Sequence, residues 1–205
     1  MGRDWLLAFY DPVSKLLGTE RLRSKLLEQA ALQPGHRVLD IGCGTGSFGV
    51  FIKRLHPQVE VIGLDPDPKA LARAARKAAQ AGLAIQFTQG FADELPFPDA
   101  SFDRVFSTLM FHHVPKDAKD KTLREVRRAL KPDGTFHLMD VDAARRGRDG
   151  LLVRLLHSAH HMPDDAEDRM LSRMSAAGLR NAKRTGEDKL LLWRVAYYRA
   201  SAPAS

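Results

Sequence analysis

Hydrophobic and polar positions along this chain change period several times, and each change predicts an element. Residues 3–31 carry apolar side chains at helical spacing, including Leu16, Leu17, Leu22, Leu26 and Leu27, and Gln33-Pro34-Gly35 ends that segment. From residue 36 short apolar runs alternate with amphipathic stretches. Strands are predicted at 36–41, 59–64, 84–88, 103–108 and 135–141, with helices at 46–55, 67–81 and 117–130. Asp67-Pro68 reads as a cap followed by proline in the first turn, and Gly82 as the stop. Lys131-Pro132-Asp133-Gly134 closes the third of these helices.

After Val141 the alternation lapses. Residues 143–150 form a polar, arginine-rich linker, 151–162 and 164–177 read as helices, and 179–185 and 190–198 as strands. Gly186-Glu187-Asp188 is the expected hairpin turn, and 201–205 a frayed tail.

Strands that alternate with helices require crossover connections, so the sheet should be parallel and covered on both faces. The prediction is one α/β domain over 1–205: a Rossmann-like, doubly wound sheet of seven strands, mostly parallel, with a C-terminal antiparallel hairpin. Within it, 1–35 is a helical cap, 36–142 a cofactor-binding core, 143–163 a substrate lid, and 164–200 the last helix and hairpin. Such sheets bind ligands at the carboxyl ends of their strands.

Composition changes this picture little. The 205 residues hold no apolar run long enough to span a membrane, and the apolar patch at 5–10 is too short for a secretory signal. The single cysteine, Cys43, excludes an internal disulfide or a cysteine-built zinc site and favours a cytoplasmic location. The net charge of +7 resides mainly after residue 142, where twelve basic side chains face seven acidic ones. These basic residues alternate with acids, so a solvated surface is preferred to a nucleic-acid footprint.

Chemistry concentrates in Val38-Leu39-Asp40-Ile41-Gly42-Cys43-Gly44-Thr45-Gly46, an apolar strand ending in an acid and then three alternating glycines. Glycine allows close approach of a ligand to bare main chain, and the following helix aims its first N–H groups into the site. Gly44 to Gly49 also matches the dinucleotide pattern, with Asp65 about twenty residues on, so an NAD(P)-dependent oxidoreductase must be weighed. Asp40 at the loop mouth opposes a pyrophosphate and suits a cationic ligand.

These residues resemble the class I S-adenosylmethionine-dependent methyltransferases, in particular the ubiquinone and menaquinone C-methyltransferase branch. The resemblance rests on VLDIGCGTGSFG, VIGLDPDPKAL, GFADELPFPDASFDRVFSTLMFHHV and LREVRRALKPDGTFHLMD. It implies S-adenosylmethionine as cofactor, with Asp40, Gly42 and Gly44 along its methionine part and Asp65 on the ribose. Pro66 would lie against the adenine, Ala92 and Asp93 beside its amino group, and Thr108 near the sulfonium. Tyr10 would belong to an N-terminal segment covering the cofactor.

His112, His113 and Asp140 are the candidate bases, because methylation of an enol or phenol requires removal of a proton. Phe111, Leu155, Leu156 and Met162 suggest a small, rather apolar acceptor. His157, His160 and His161 have helical ligand spacing without an acidic or cysteine partner, so no metal is expected. The other reading is a non-catalytic or nucleic-acid-binding member of the fold.

Overall fold

In the computed structural model the described residues are 19–142, 167–190 and 193–204. Helix α1 (Thr19–Ala30) precedes strand β1 (Arg37–Ile41), helix α2 (Ser47–Leu55), β2 (Glu60–Asp65), α3 (Pro68–Gln80), β3 (Gln86–Gln89) and β4 (Phe102–Thr108). A 3-10 turn (Phe111–His113), α4 (Lys116–Ala129), β5 (Leu130–Val141), α5 (Glu167–Ala176), β6 (Arg180–Leu190) and β7 (Trp193–Ser201) complete the order. The expected calls for 1–18 and 143–166 lie outside the described residues.

The seven strands make one sheet in the order β3-β2-β1-β4-β5-β7-β6. β1 through β5 pair in parallel, and β7 runs antiparallel to both β5 and β6. Strand order reverses between β1 and β4, which places the ligand crevice of a doubly wound sheet at their carboxyl ends. Alternate positions of the central strands feed two cores. Val38, Phe106, Met139 and Tyr197 meet Leu22, Leu26 and Leu27 of α1 on one face. Leu39, Val105, Phe136 and Leu138 meet Leu123, Val126 and Met174 of α4 and α5 on the other.

Local chemistry accounts for several boundaries. Asp67 caps α3, its side chain accepting from Lys69 N–H at 2.9 Å, with Pro68 first in the helix. Gly178 takes φ +83 just after α5, as a helix stop should.

Two expectations need correction. The hairpin does not turn at Gly186-Glu187-Asp188; those residues lie within β6 and pair with Tyr197, Ala196 and Val195. Gly186 marks a register irregularity instead, and the chain reverses between Leu190 and Trp193. Ion pairs hold the strand past the glycine: Asp188 with Arg21 and Lys25 of α1, and Glu187 with Arg184 and Arg194. The tail is also not frayed at its start. Ser201 pairs with Thr135, and buried Ala202 donates its N–H to Gly134 O at 2.8 Å.

The segment between β3 and β4 has no strand pairing beyond one bridge, Phe91 with Glu94, yet it is held in place. Arg128 of α4 donates to Leu95 O (3.0 Å), Phe97 O (2.8 Å), Asp99 and Glu125, while Glu125 accepts from Leu95 N–H at 2.9 Å. The Arg128 bonds hold the Glu125 carboxyl below the usual range. Arg128→Met leaves two carbonyls and two carboxylates, Asp99 and Glu125, without this partner. Urea denaturation should show a loss of about 2–3 kcal/mol; a change below 0.5 kcal/mol would remove this clamp from the account.

Candidate cofactor and acceptor site

The glycine loop leaves β1 with Gly42, Gly44 and Gly46 all in the left-handed region, at φ +69, +53 and +73. A side chain at any of them would be strained. Gly42 and Cys43 N–H both donate to Leu64 O, at 2.8 and 3.0 Å, which draws the loop across the end of β2. Lys77 of α3 bonds Thr45 Oγ1 (3.1 Å) and Ser47 Oγ (2.7 Å), fixing the far side.

The glycines are not equivalent. A Cβ on Gly44 would meet nothing within 4 Å, so this is the bare main chain open to a ligand. A Cβ on Gly42 would lie 2.1 Å from Met110 Cγ, so its empty side holds the Met110 side chain rather than open space. One on Gly46 would meet Ala74 and Phe87, which makes Gly46 a packing glycine at the start of α2.

Asp65 lies at the tip of β2 with both carboxylate oxygens engaged. Oδ2 accepts from Gly44 N–H at 2.8 Å and Oδ1 from Asp67 N–H at 3.0 Å. The same acid therefore shapes the glycine loop and keeps spare acceptor sites, since a carboxylate offers about four. Exposed Pro66 follows, its carbonyl accepting from Gln89 Nε2 at 3.2 Å.

Asp40 is the electrostatic anomaly. It is 1% exposed, and neither carboxylate oxygen has a hydrogen-bond partner. Burial pushes its pKa up to about 7, with Arg23 of α1 opposing and Asp65 adding to the rise. A cation brought beside a buried acid left this way would favour its charged form. Burial also pushes the Cys43 thiol up, so this cysteine is inert packing against Gly63.

Beyond β4 the candidate bases come together. His112 Nδ1 lies 2.5 Å from Asp140 Oδ1, and His112 N–H donates to Asp140 Oδ2 at 2.8 Å. Val141 N–H adds a third bond to the same carboxylate, at 2.7 Å. Asp140 is 5% exposed, whereas the His112 side chain is 21% exposed, so the acid is the buried support and the imidazole the presented group. Held through Nδ1, the ring keeps Nε2 for other work; among the described residues nothing bonds that nitrogen. His113 is exposed, its ring centroid 3.9 Å from that of His112.

Other expected residues fare differently. Thr108 ends β4 in register with Met139, half-buried. Ala92 packs on the core, and Asp93 is half-buried with its carboxylate 3.5 Å from Lys121 Nζ. Phe111 is 1% exposed and belongs to the core, so it does not line a mouth; its aromatic bulk anchors the 3-10 turn beneath the histidines. Tyr10, Leu155, Leu156, Met162 and the three helical histidines lie outside the described residues. Among the described residues no cluster of three metal-ligating side chains occurs. Arg128 with Glu125 is the addition that single-residue reading missed; its trace is the i, i+3 acid–base pair within LREVRRAL.

Residues 38–134 match the family described as a methyltransferase domain. The chain is 34% identical over 149 residues to the demethylmenaquinone methyltransferase of Thermus thermophilus, covering 71% of this chain and 67% of that protein. The chain belongs to the class I S-adenosylmethionine-dependent methyltransferases. The enzyme of the same name from Deinococcus radiodurans is 36% identical over 158 residues, 75% of this chain and 64% of its own length. The chain thus spans about two thirds of the length of these curated relatives. Among solved structures, the YcgJ protein of Bacillus subtilis superposes with a TM-score of 0.76 at 22% identity, over 89% of this chain and 98% of that one. The Haemonchus contortus phosphoethanolamine N-methyltransferase 2, in complex with S-adenosylmethionine, gives a TM-score of 0.78 at 18% identity, over 89% of this chain and 52% of the other. Both superpositions speak to the fold.

Measured against that family's cofactor, the residues of this chain fit. A cationic sulfonium and ammonium match the orphaned Asp40, the methionine part matches the open main chain at Gly44, and a ribose diol matches the spare acceptor sites of Asp65. A further expectation follows from Asp40. Its folded pKa lies above its unfolded value of 3.8, so ionising it in the folded protein costs stability. The cost grows as pH rises from about 4 to about 7 and is complete above that, on the order of 4 kcal/mol at most. Asp40→Asn should therefore melt higher than the parent at pH 8 without ligand, with the gap closing towards pH 4. A melting difference independent of pH would show that Asp40 does not titrate in this way.

Proposed function

We propose that this methyltransferase uses S-adenosylmethionine to methylate a small, rather apolar acceptor bearing an ionisable hydroxyl or enol, with His112 as the general base. The observation that carries the proposal is the His112–Asp140 pair at the tips of β4 and β5. Asp40 and Gly44 would hold the methionine part of the cofactor, and Asp65 the ribose. When bound, the cofactor supplies a methyl carbon that is already electrophilic. What remains for the protein is alignment of the acceptor for in-line attack and removal of its proton.

His112 Nε2 would accept that proton, while Asp140 holds Nδ1–H, selects the tautomer and stabilises the imidazolium that results. Asp140 itself, with three donors already on it, is the support and not the base. Thr108, half-buried at the end of β4, would stand near the sulfonium.

The competing readings draw less support. Asp40, buried and unpartnered beside the glycine loop, would offer the pyrophosphate of NAD(P) no favourable contact and would have to stay protonated beside it. Of the eight described basic residues after 142, three are paired with acids, Arg184 with Asp142 and Glu187, Arg194 with Glu187 and Arg173 with Asp120, which draws part of that charge away from a nucleic-acid surface. No helix among the described residues is long and apolar enough to cross a membrane.

Calorimetric titration of the purified chain with S-adenosylhomocysteine and, separately, with NAD and NADP tests the cofactor. Micromolar binding of the first and none of the others is expected; the reverse order removes the proposal. Incubation with labelled S-adenosylmethionine and a panel of phenols, hydroquinones and enols should then give O- or C-methylated products. Transfer confined to amines would overturn the acceptor class.

A further inference from the structure

Among the described residues, the non-glycine positions with left-handed backbone are Ala31, Ala100, Asp133, Asn181 and Leu109. The first four carry small or short polar side chains, which tolerate it best. Leu109, at φ +53, is bulky, and for such a residue this conformation is an outlier. It is the first residue beyond β4 and stands three positions before His112. Outliers of this kind persist only where their surroundings hold them, and they cluster at functional sites.

The surroundings of Leu109 do hold it. Its N–H donates to Met139 O at 2.8 Å, so the residue enters the turn still tied to β5. Its side chain packs with the core on the α1 face, whereas Met110 and Phe111 pack with the core on the α4 face. One left-handed residue thus carries the chain across the edge of the sheet. Met110 then fills the space over Gly42, Phe111 is buried, and His113 N–H closes the 3-10 turn on Met110 O at 2.8 Å. The turn so seated brings His112 N–H to Asp140 Oδ2 at 2.8 Å and His112 Nδ1 to Asp140 Oδ1 at 2.5 Å. Extended or right-handed backbone at 109 would send residues 110–113 in another direction and part both bonds.

We infer that Leu109 is a positioning residue, whose left-handed backbone rather than its side chain sets His112 against Asp140. Its value for catalysis rests on the reading of His112 as the base; its effect on the His112–Asp140 pair does not. Substitutions rank the two kinds of role in opposite orders. Asparagine and glycine adopt left-handed backbone readily but lose the apolar side chain. Isoleucine and valine keep apolar bulk but resist that backbone most.

Long-range proton–nitrogen NMR of the nitrogen-labelled chain reads which ring nitrogen of a neutral histidine carries the proton, and hydrogen bonding sets that choice. At about pH 9, well above the ordinary histidine range, His112 of the parent should carry it on Nδ1, with His112→Ala identifying the signals. Leu109→Asn and Leu109→Gly should keep it there. Leu109→Ile and Leu109→Val should shift it to Nε2, the form an imidazole favours in water. Methyl transfer to the acceptor that turns over fastest in the panel above should fall by about tenfold to a hundredfold in the isoleucine and valine variants, the cost of roughly 1 Å of misplacement. In the asparagine and glycine variants it should stay within about threefold of the parent. Affinity for S-adenosylhomocysteine should stay within about twofold in all four, because the glycine loop keeps its bonds to Leu64 and Asp65. A proton on Nε2 in the asparagine and glycine variants, or on Nδ1 in the isoleucine and valine variants, overturns the inference; where the latter two fail to fold, the former two decide alone. A parent chain with Nδ1 unprotonated removes the pair itself, and with it the base. A full rate in His112→Ala, with the protons placed as expected, removes the base and leaves the positioning of the ring standing.

Discussion

His112→Ala is expected to lower kcat by about a hundredfold to ten-thousandfold, the usual contribution of a positioned base, with affinity for S-adenosylhomocysteine within about twofold of the parent. The separation matters, because a merely structural histidine would change binding and stability as well. His112 is part-exposed and its ring is held by a single buried acid, so truncation leaves the core intact. Added imidazole should recover part of the rate, since the gap left by the ring retains Asp140 to bind an imidazole N–H. Asp140→Asn should keep the ring in place less well, with a smaller fall in kcat. A full rate for His112→Ala would move the base elsewhere, and His113, with its ring next to that of His112, is then the next to replace.

Asp65→Ala carries the second large effect. The substitution removes the acceptor expected for the ribose and the two bonds, to Gly44 and Asp67 N–H, that hold the glycine loop and the start of α3. Affinity for S-adenosylhomocysteine should fall by at least a hundredfold on calorimetry, because both the contact and the shape of the loop are lost. Asp65→Asn retains one good acceptor oxygen and should lie between the two. Stability should fall by about 1–3 kcal/mol in the alanine variant, so binding is to be measured well below its melting temperature. Affinity unchanged in Asp65→Ala would place the sugar elsewhere.

Much of the site is legible before any folding is considered, because its elements are local. The three glycines of the loop sit where left-handed backbone is needed, and φ preference belongs to the residue itself. Asp67 caps the helix it precedes, through a bond two residues long. Asp40, Asp65 and Asp140 fall at the ends of apolar runs, so any parallel sheet must deliver them to the same edge.

Side-chain partnership is a different kind of fact. His112 and Asp140 are 28 residues apart, and only the adjacency of β4 and β5, set by a crossover through α4, joins them. Asp93 looks like a free acid along the chain, but α4 brings Lys121 against it. Phe111 looks as well suited to a pocket mouth as to a core until the 3-10 turn directs it inward. The hairpin misassignment has the same origin: Gly186-Glu187-Asp188 has turn composition, but Arg21 and Lys25 of a helix some 160 residues earlier hold the acid in an extended strand.

Sequence by itself determined the alternating α/β order, the parallel sheet, the glycine loop and the strand-end carboxylates, since periodicity, φ preference and capping act within a few residues. Tertiary structure alone decided which acid supports which base, which glycine stays bare, and which carboxylates are already spent on a neighbour. Those outcomes depend on distances between strand tips and helices far apart in the chain, and no local preference encodes them.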